Sequence, residues 1–187
     1  MRVITGTARG RRLLTLEGDD VRPTTDRTKE AMFSSIQFDI EGASVLDLFA
    51  GCGQLGLEAL SRGAKKATFS DSSRDATDIV MRNAKKSKLF DKCRISNCSY
   101  DQMIRGLSGK EQYDIIFIDP PYNQKCIADV LEKLLKGDVI ADGAFVICES
   151  GEEDIFGGNE ELKSKFTVQK QARYSISYIT VLRPVKE

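Results

Sequence analysis

The sequence predicts an α/β protein in a single domain, built on a mostly parallel sheet that ends in an antiparallel hairpin. Three observations predict it. From about residue 44 onward, apolar runs of strand length alternate with runs of helical periodicity, the pattern of parallel βαβ units. A glycine-rich segment, Gly51-Cys52-Gly53-Gln54-Leu55-Gly56, falls at the first strand-to-helix junction of that alternation. Near the carboxyl terminus two strand-like runs follow one another with only Ala172-Arg173 between them, a link too short for a helical crossover.

In chain order, Val3-Ile4-Thr5 and Arg12-Leu13-Leu14-Thr15 around Gly6 and Gly10 predict a small hairpin. Thr25 or Asp26 then caps a helix running to about Phe38. Strands are expected at 44–50, 66–71, 93–98, 113–118 and 140–149, with helices between them. Over 124–136, Ile127, Val130, Leu131, Leu134 and Leu135 fall on one stripe. Over 74–88, Ala76, Ile79, Val80, Asn83 and Ala84 do so less cleanly. Gly157-Gly158 breaks the chain before the hairpin strands at 165–171 and 174–183. Residues 1–187 thus read as one domain, with 1–40 as an extension and 41–187 as the core.

With 187 residues, 41% of them hydrophobic, the chain can fill one sizeable core. The 28 basic and 28 acidic residues cancel, so attraction to a polyanion has to be local. Arg2, Arg9, Arg11 and Arg12 fall in the first sixteen residues with no acid among them, a basic arm suited to phosphate contact. No run approaches the ~18 uncharged apolar residues that span a bilayer, and the start lacks a secretory leader, so a soluble cytoplasmic protein is expected. Five cysteines without a C-x-x-C pair read as free thiols rather than a zinc site. The chain has no histidine, which removes Ser-His-Asp chemistry and imidazole-ligated metals together, and no metal is implied.

Asp47-Leu48-Phe49-Ala50-Gly51-Cys52-Gly53 leads from the first strand into a helix, where glycines let a cofactor approach the backbone. Gly51, Gly53 and Gly56 match G-x-G-x-x-G, and Asp71 stands twenty residues after Gly51 at a strand end, where it can accept ribose hydroxyls. A nicotinamide-dependent oxidoreductase fits those features. Asp47 is not needed to hold a pyrophosphate, whereas an acid there can serve the charged amino-acid end of S-adenosylmethionine. The D-x-F-x-G-x-G form resembles the first motif of class I methyltransferases, which have a Rossmann-like fold. On this loop alone three readings stay open: a methyltransferase, a nucleotide-binding protein, and a glycine-rich turn without a ligand.

Ile118-Asp119-Pro120-Pro121-Tyr122 closes the fourth strand on the edge where such sheets bind ligands. Two prolines stiffen the loop, and Pro121 has no N–H to occupy a neighbouring carbonyl. Asp119 and the Pro120 carbonyl can therefore accept both hydrogens of one amino group. The lone pair of a base amino group is delocalised into the ring, and such bonds localise it towards an electrophilic methyl. Tyr122 offers a face on which an extruded base can stack. The bland alternative is a rigid surface turn.

With these residues in view, the chain resembles the RsmD family of bacterial rRNA guanine-N2 methyltransferases. The likeness covers Met1 to Gly6 with Arg9 to Leu13, the block Arg22-Pro23-Thr24-Thr25-Asp26-Arg27 with Glu30-Ala31, the loop and helix from Val45 to Gly63, and Asp119 to Tyr122. It implies a seven-stranded class I methyltransferase fold, S-adenosylmethionine as cofactor, and methyl transfer to N2 of a guanine in 16S rRNA, free or in the small ribosomal subunit. It assigns the chemistry to Asp119, Pro120 and Tyr122. Cofactor contacts would come from Asp47, Phe49, Gly51, Gly53, Gly56, Asp71, Ser72, Ser99 and Tyr100. Substrate contacts would come from Arg9, Arg11, Arg12, Arg22, Thr24, Arg27 and Tyr122.

The sequence departs from the family pattern in three places. Asp71 and Ser73 replace the usual glutamate and aspartate after the second strand, Ser99 aligns where an aspartate is common, and Cys52 replaces a small hydroxyl residue. Three rival readings remain: an adenine-N6 methyltransferase of DNA or RNA, an NAD-dependent oxidoreductase, and a non-catalytic RNA-binding module.

Overall fold

A computed structural model describes residues 1–16, 25–121 and 123–185. In chain order the elements are α1 (Asp26–Ser34), β1 (Ser44–Asp47), α2 (Gln54–Ser61), β2 (Lys66–Asp71), α3 (Arg74–Lys86), β3 (Cys93–Asn97), α4 (Tyr100–Leu107), β4 (Tyr113–Ile118), α5 (Ile127–Lys136), β5 (Ile140–Ser150), α6 (Glu160–Ser164), β6 (Phe166–Tyr174) and β7 (Ser177–Pro184). One seven-stranded sheet runs in the order β3-β2-β1-β4-β5-β7-β6. β1 to β5 are parallel, and β7 is antiparallel to both β5 and β6. The chain winds outward from β1 in one direction and from β4 in the other. The β1/β4 boundary is therefore the switch point, beside which sheets of this kind bind ligands at the carboxyl ends of their strands.

Alternation along each strand sends successive side chains into two cores. Val45, Phe69, Phe117 and Ile147 join Phe33, Leu57 and Val80 on one face. Leu46, Ile116, Ile118 and Val146 join Ile104, Val130 and Leu131 on the other. Both faces are covered, which is why the central strands read as nearly continuous apolar runs. β2 and β4 occupy the expected residues. β1 is shorter than expected: it ends at Asp47, and Leu48 to Ala50 already belong to the loop. α1 is capped by Thr25, whose hydroxyl accepts from the Thr28 N–H, but it stops at Ser34, and Phe38 beyond it is 92% exposed.

One expectation near the carboxyl terminus is corrected. Ala172-Arg173 is not the hairpin link. β6 continues through it to Tyr174, which pairs with Ser177, and the turn is Ser175-Ile176 with Ser175 at φ 59°. The sequence also gave no sign of α6, a five-residue helix capped by the Asn159 side chain just after Gly157-Gly158. Among the described residues no helix is long and apolar enough to cross a membrane.

The amino-terminal segment forms the expected turn, though as a single bridge between Arg2 and Arg12 rather than two strands. It is fastened down. The buried Glu58 of α2 accepts the N–H groups of Ile4 (2.7 Å) and Thr5 (3.0 Å) and pairs with Lys29 (3.3 Å) and Arg62 (2.8 Å). Ser61 Oγ donates to the Thr5 carbonyl and accepts from the Ala8 N–H. A Cβ on Gly6, at φ +86°, would lie 1.7 Å from the Ser61 carbonyl oxygen, so only glycine fits there. Val3, Ala8 and Leu13 are buried, while Arg9, Arg11 and Arg12 remain exposed.

Candidate active site

The loop after β1 is held peptide by peptide. The Ala50 N–H donates to the Ser70 carbonyl (3.0 Å), the Gly51 N–H to Asp71 Oδ2 (2.9 Å), the Gly53 N–H to the Ala50 carbonyl (2.7 Å) and the Gly56 N–H to Asp47 Oδ2 (3.1 Å). The Cys52 carbonyl accepts from Asn83 Nδ2 (2.8 Å). Gly51 and Gly53 adopt φ of 54° and 80°, which glycine reaches without the penalty a Cβ imposes. At Gly56 the reason is packing: a Cβ would fall 2.2 Å from the Phe69 ring.

Asp47 lies at the end of β1 at 1% exposure. One carboxylate oxygen accepts from Gly56, and the other, Oδ1, is buried with no partner. Burial pushes its carboxyl up to about 7; the Gly56 N–H opposes that rise and the nearby Asp71 charge adds to it. Gln54 Oε1, on the first turn of α2, is likewise buried without a partner. An interior normally satisfies such atoms, and Ser87 Oγ is the third that lacks a partner among the described residues.

Asp71 ends β2 beside the loop, with Oδ2 on the Gly51 N–H and Oδ1 on the Ser73 N–H (2.9 Å). Each carboxylate oxygen keeps a second lone-pair site, so the residue can still accept a ligand hydroxyl. Ser72 is exposed, and its carbonyl accepts from Asn97 Nδ2 (3.0 Å), which also donates to the Asp71 carbonyl (3.0 Å). Ser99 is committed locally: its hydroxyl caps α4, and its N–H donates to Gln102 Oε1, closing a capping box. Phe49 and Tyr100 form a tilted pair with ring centroids 5.4 Å apart. Tyr100 is anchored through its hydroxyl to Asp129 (2.8 Å), and burial together with that bond pushes its phenol up to about 12.

β4 delivers Asp119, half-buried, and Pro120, buried, to the edge next to the glycine loop. Beside Pro120 and Pro121 a cleft of about 130 Å³ is walled by Ile127 and Ile155 and by the acids Glu149, Glu152 and Asp154. A second cleft, of about 240 Å³, opens where Thr25, Arg27 and Thr28 face Arg173, Tyr174 and Ser175. The strand ends Ser150 and Tyr178 are paired, which puts this hairpin turn on the same edge of the sheet as Asp119. No acid lines it among the described residues; the adjacent Asp26 is taken by Arg2 (2.9 Å).

The structure thus gathers Asp47, Phe49, Gly51, Gly53, Gly56, Asp71, Ser72, Ser99, Tyr100, Asp119 and Pro120 along adjoining strand ends. Arg9, Arg11 and Arg12 lie on the fastened amino-terminal turn, and Arg27 on α1. Tyr122, Arg22 and Thr24 lie outside the described residues. Burial raises the Cys52 thiol, as suits a packed neighbour of the loop rather than a nucleophile.

Sequence reasoning missed Asn83 and Asn97. Asn83 is fully buried, bonds to Cys52, and holds both the N–H (2.8 Å) and the carbonyl (2.9 Å) of Leu14, tying the amino-terminal segment to the loop. Its one signal was a polar residue on an otherwise apolar helical stripe.

Comparison with known proteins bears on this geometry. A family described as Conserved hypothetical protein 95 matches residues 1–183. The chain is 33% identical over 154 residues to Ribosomal RNA small subunit methyltransferase D of Escherichia coli K12, covering 82% of this chain and 76% of that protein. It is 31% identical over 151 residues to the protein of the same name from Haemophilus influenzae, covering 80% and 78%. The solved structure of yhhF from Escherichia coli superposes with a TM-score of 0.85 at 27% identity, covering 100% of this chain and 99% of that one.

Proposed function

This chain belongs to the RsmD family, and we propose that it transfers the methyl group of S-adenosylmethionine to the exocyclic N2 of a guanine in 16S rRNA. The observation that carries the reading is Asp47: a sealed carboxylate with one oxygen unclaimed, beside a glycine loop already rigid, one strand away from Asp119-Pro120. A cationic ammonium is the donor that such an oxygen accepts best. The cofactor supplies an electrophilic methyl on sulfur and carries an ammonium at its amino-acid end.

The chain's own residues do the rest. Asp47 Oδ1 receives the ammonium with Gln54 close by, Gly51, Gly53 and Gly56 let the ligand lie against the backbone, and Asp71 accepts ribose hydroxyls. Ser72, Ser99, Phe49 and Tyr100 border the adenine end. Asp119 and the Pro120 carbonyl accept the two hydrogens of the target amino group and aim its lone pair at the methyl. Tyr122 stacks the extruded base. Alignment of this kind supplies about 7 to 11 kcal/mol of barrier reduction.

Arg9, Arg11, Arg12, Arg22, Thr24 and Arg27 serve the RNA backbone, and the cleft between Arg27 and Arg173, with no acid among its described residues, has the charge that a phosphate requires. The substrate is rRNA, alone or in the small subunit, in the cytoplasm.

Calorimetry with S-adenosylmethionine and with NAD, together with nucleoside mass spectrometry of rRNA from cells with and without the protein, tests this reading. Selective binding of S-adenosylmethionine and loss of one N2-methylguanosine are expected. Preference for NAD, or an unchanged rRNA nucleoside profile, contradicts it.

A further inference from the structure

Glu149 is a carboxylate, 6% exposed, that the mechanism above does not use. It lies at the carboxyl end of β5, which pairs with β4 in register through Ile118 and Cys148. The next residues on the two strands are Asp119 and Glu149, so their backbones stand about one strand spacing, roughly 4.8 Å, apart. They also share a face of the sheet. Phe117 and Ile147 lie in one core and Ile118 and Cys148 in the other, so the following pair returns to the side of Phe117 and Ile147.

The base edge that meets this pair of acids differs between purines. In guanine the ring nitrogen adjacent to the N2 amino group carries a hydrogen, so the edge presents donors side by side. In adenine the ring nitrogen adjacent to the N6 amino group is an acceptor. Enzymes that extrude a base read it on this edge. Two neighbouring carboxylates can take two neighbouring donors, whereas an acceptor facing a carboxylate oxygen is left without a bond.

We propose that Glu149 selects guanine by accepting its N1–H while Asp119 and the Pro120 carbonyl hold the adjacent N2 amino group. The proposal rests on the reading that guanine N2 is the methyl acceptor. Glu149 is a specificity residue here: it neither touches the methyl nor activates the nitrogen that attacks it. A site built to bond a particular N–H rejects the analogue lacking it far more strongly than an apolar pocket rejects a misshapen ligand.

Once the modified position is mapped by nucleoside analysis, the test uses an rRNA fragment carrying either guanosine or 2,6-diaminopurine riboside there. The analogue keeps the N2 amino group but has no hydrogen on N1. In single-turnover transfer from labelled S-adenosylmethionine, the wild-type protein is expected to methylate the analogue slower by a factor on the order of 100 or more. In Glu149→Gln the amide N–H can donate to the bare N1, so the ratio should narrow tenfold or more, with cofactor affinity by calorimetry unchanged.

Equal wild-type rates on the two fragments overturn the proposal whether or not the variant folds. So does an unchanged ratio in a Glu149→Gln protein that still binds cofactor. Absence of any N2-methylguanosine from the guanosine fragment is a different result: it removes the assigned methyl acceptor, and this proposal with it.

Discussion

Two carboxylates are sealed into the same face of this sheet, and they are satisfied very differently. Glu58, at 0% exposure, accepts from two backbone N–H groups and from the Lys29 and Arg62 side chains. Asp47, at 1%, has a single backbone donor on one oxygen and nothing on the other. Burial is the same for both; what differs is how many of the carboxylate's acceptor sites are filled. Glu58 is complete without a ligand and holds the amino-terminal segment and α1 to α2. Asp47 keeps one oxygen without a partner, and burial, against the single Gly56 N–H, pushes its carboxyl up to about 7.

The largest effect expected from this contrast is on folding. Glu58→Ala leaves Lys29 buried without its carboxylate and two N–H groups without an acceptor, and breaking a buried pair from one side costs about 3 to 5 kcal/mol. Urea unfolding should show that loss as a lowered midpoint with an unchanged slope. A loss below about 1 kcal/mol would mean that the staple is ornamental.

Asp47→Asn should behave in the opposite sense. Stability at neutral pH should not fall, while affinity for S-adenosylmethionine falls by about 1.5 to 3 kcal/mol, the range for a bond to a charged group. pH sharpens the comparison. The folded carboxyl titrates at about 7 against an ordinary value of 3.8, so between these limits the unliganded folded chain holds a proton that the unfolded chain has lost. Stability from this group is therefore fully present below about pH 4 and is lost as pH rises through about 7. Asp47→Asn should remove that slope from unfolding curves. In the wild type, affinity for the cationic cofactor should rise over the same interval, as Asp47 becomes charged.

The smallest effect belongs to the exposed side of the segment that Glu58 fastens. Replacing Arg9, Arg11 and Arg12 with alanine should reduce the salt dependence of RNA binding by about 0.7 to 0.9 per lost phosphate contact, with cofactor affinity untouched. An unchanged slope would leave these arginines as a solvated face.

How much of this was legible in the sequence follows from how local each signal is. β2 and β4 lie on the residues expected, because strand runs bounded by charged or glycine-rich segments are local patterns. The glycine loop, Asp47 and Asp71 were legible for the same reason, since a motif of ten residues and a partner twenty residues on define a strand-loop-helix unit.

Glu58 and Asn83 were not legible. Their partners Ile4, Thr5 and Leu14 lie 53 to 69 residues away, and no spacing rule connects them. The hairpin link was misplaced because Ser175-Ile176 lacks the Gly or Asn that usually marks such a turn, whereas Ala172-Arg173 looked like a gap between apolar runs. Ser99 was read through the resemblance as a cofactor contact; its capping box with Gln102, which the S-x-x-Q spacing carried, fixes it at the start of α4. Glu149 ended an expected strand, and only the register with β4 sets it beside Asp119.

Single-turnover transfer of labelled methyl from S-adenosylmethionine to ribosomal RNA, followed by digestion to nucleosides, compares the wild type with Asp119→Ala. In the proposed mechanism Asp119 accepts from the target amino group most strongly as positive charge develops on that nitrogen. Its loss should therefore slow transfer by a factor on the order of 100 or more, about 2.7 kcal/mol, while calorimetry shows cofactor binding intact. N2-methylguanosine is the expected wild-type product, with that loss of rate in the variant. Near-wild-type transfer by Asp119→Ala would contradict the mechanism, and N6-methyladenosine as the product would contradict the substrate.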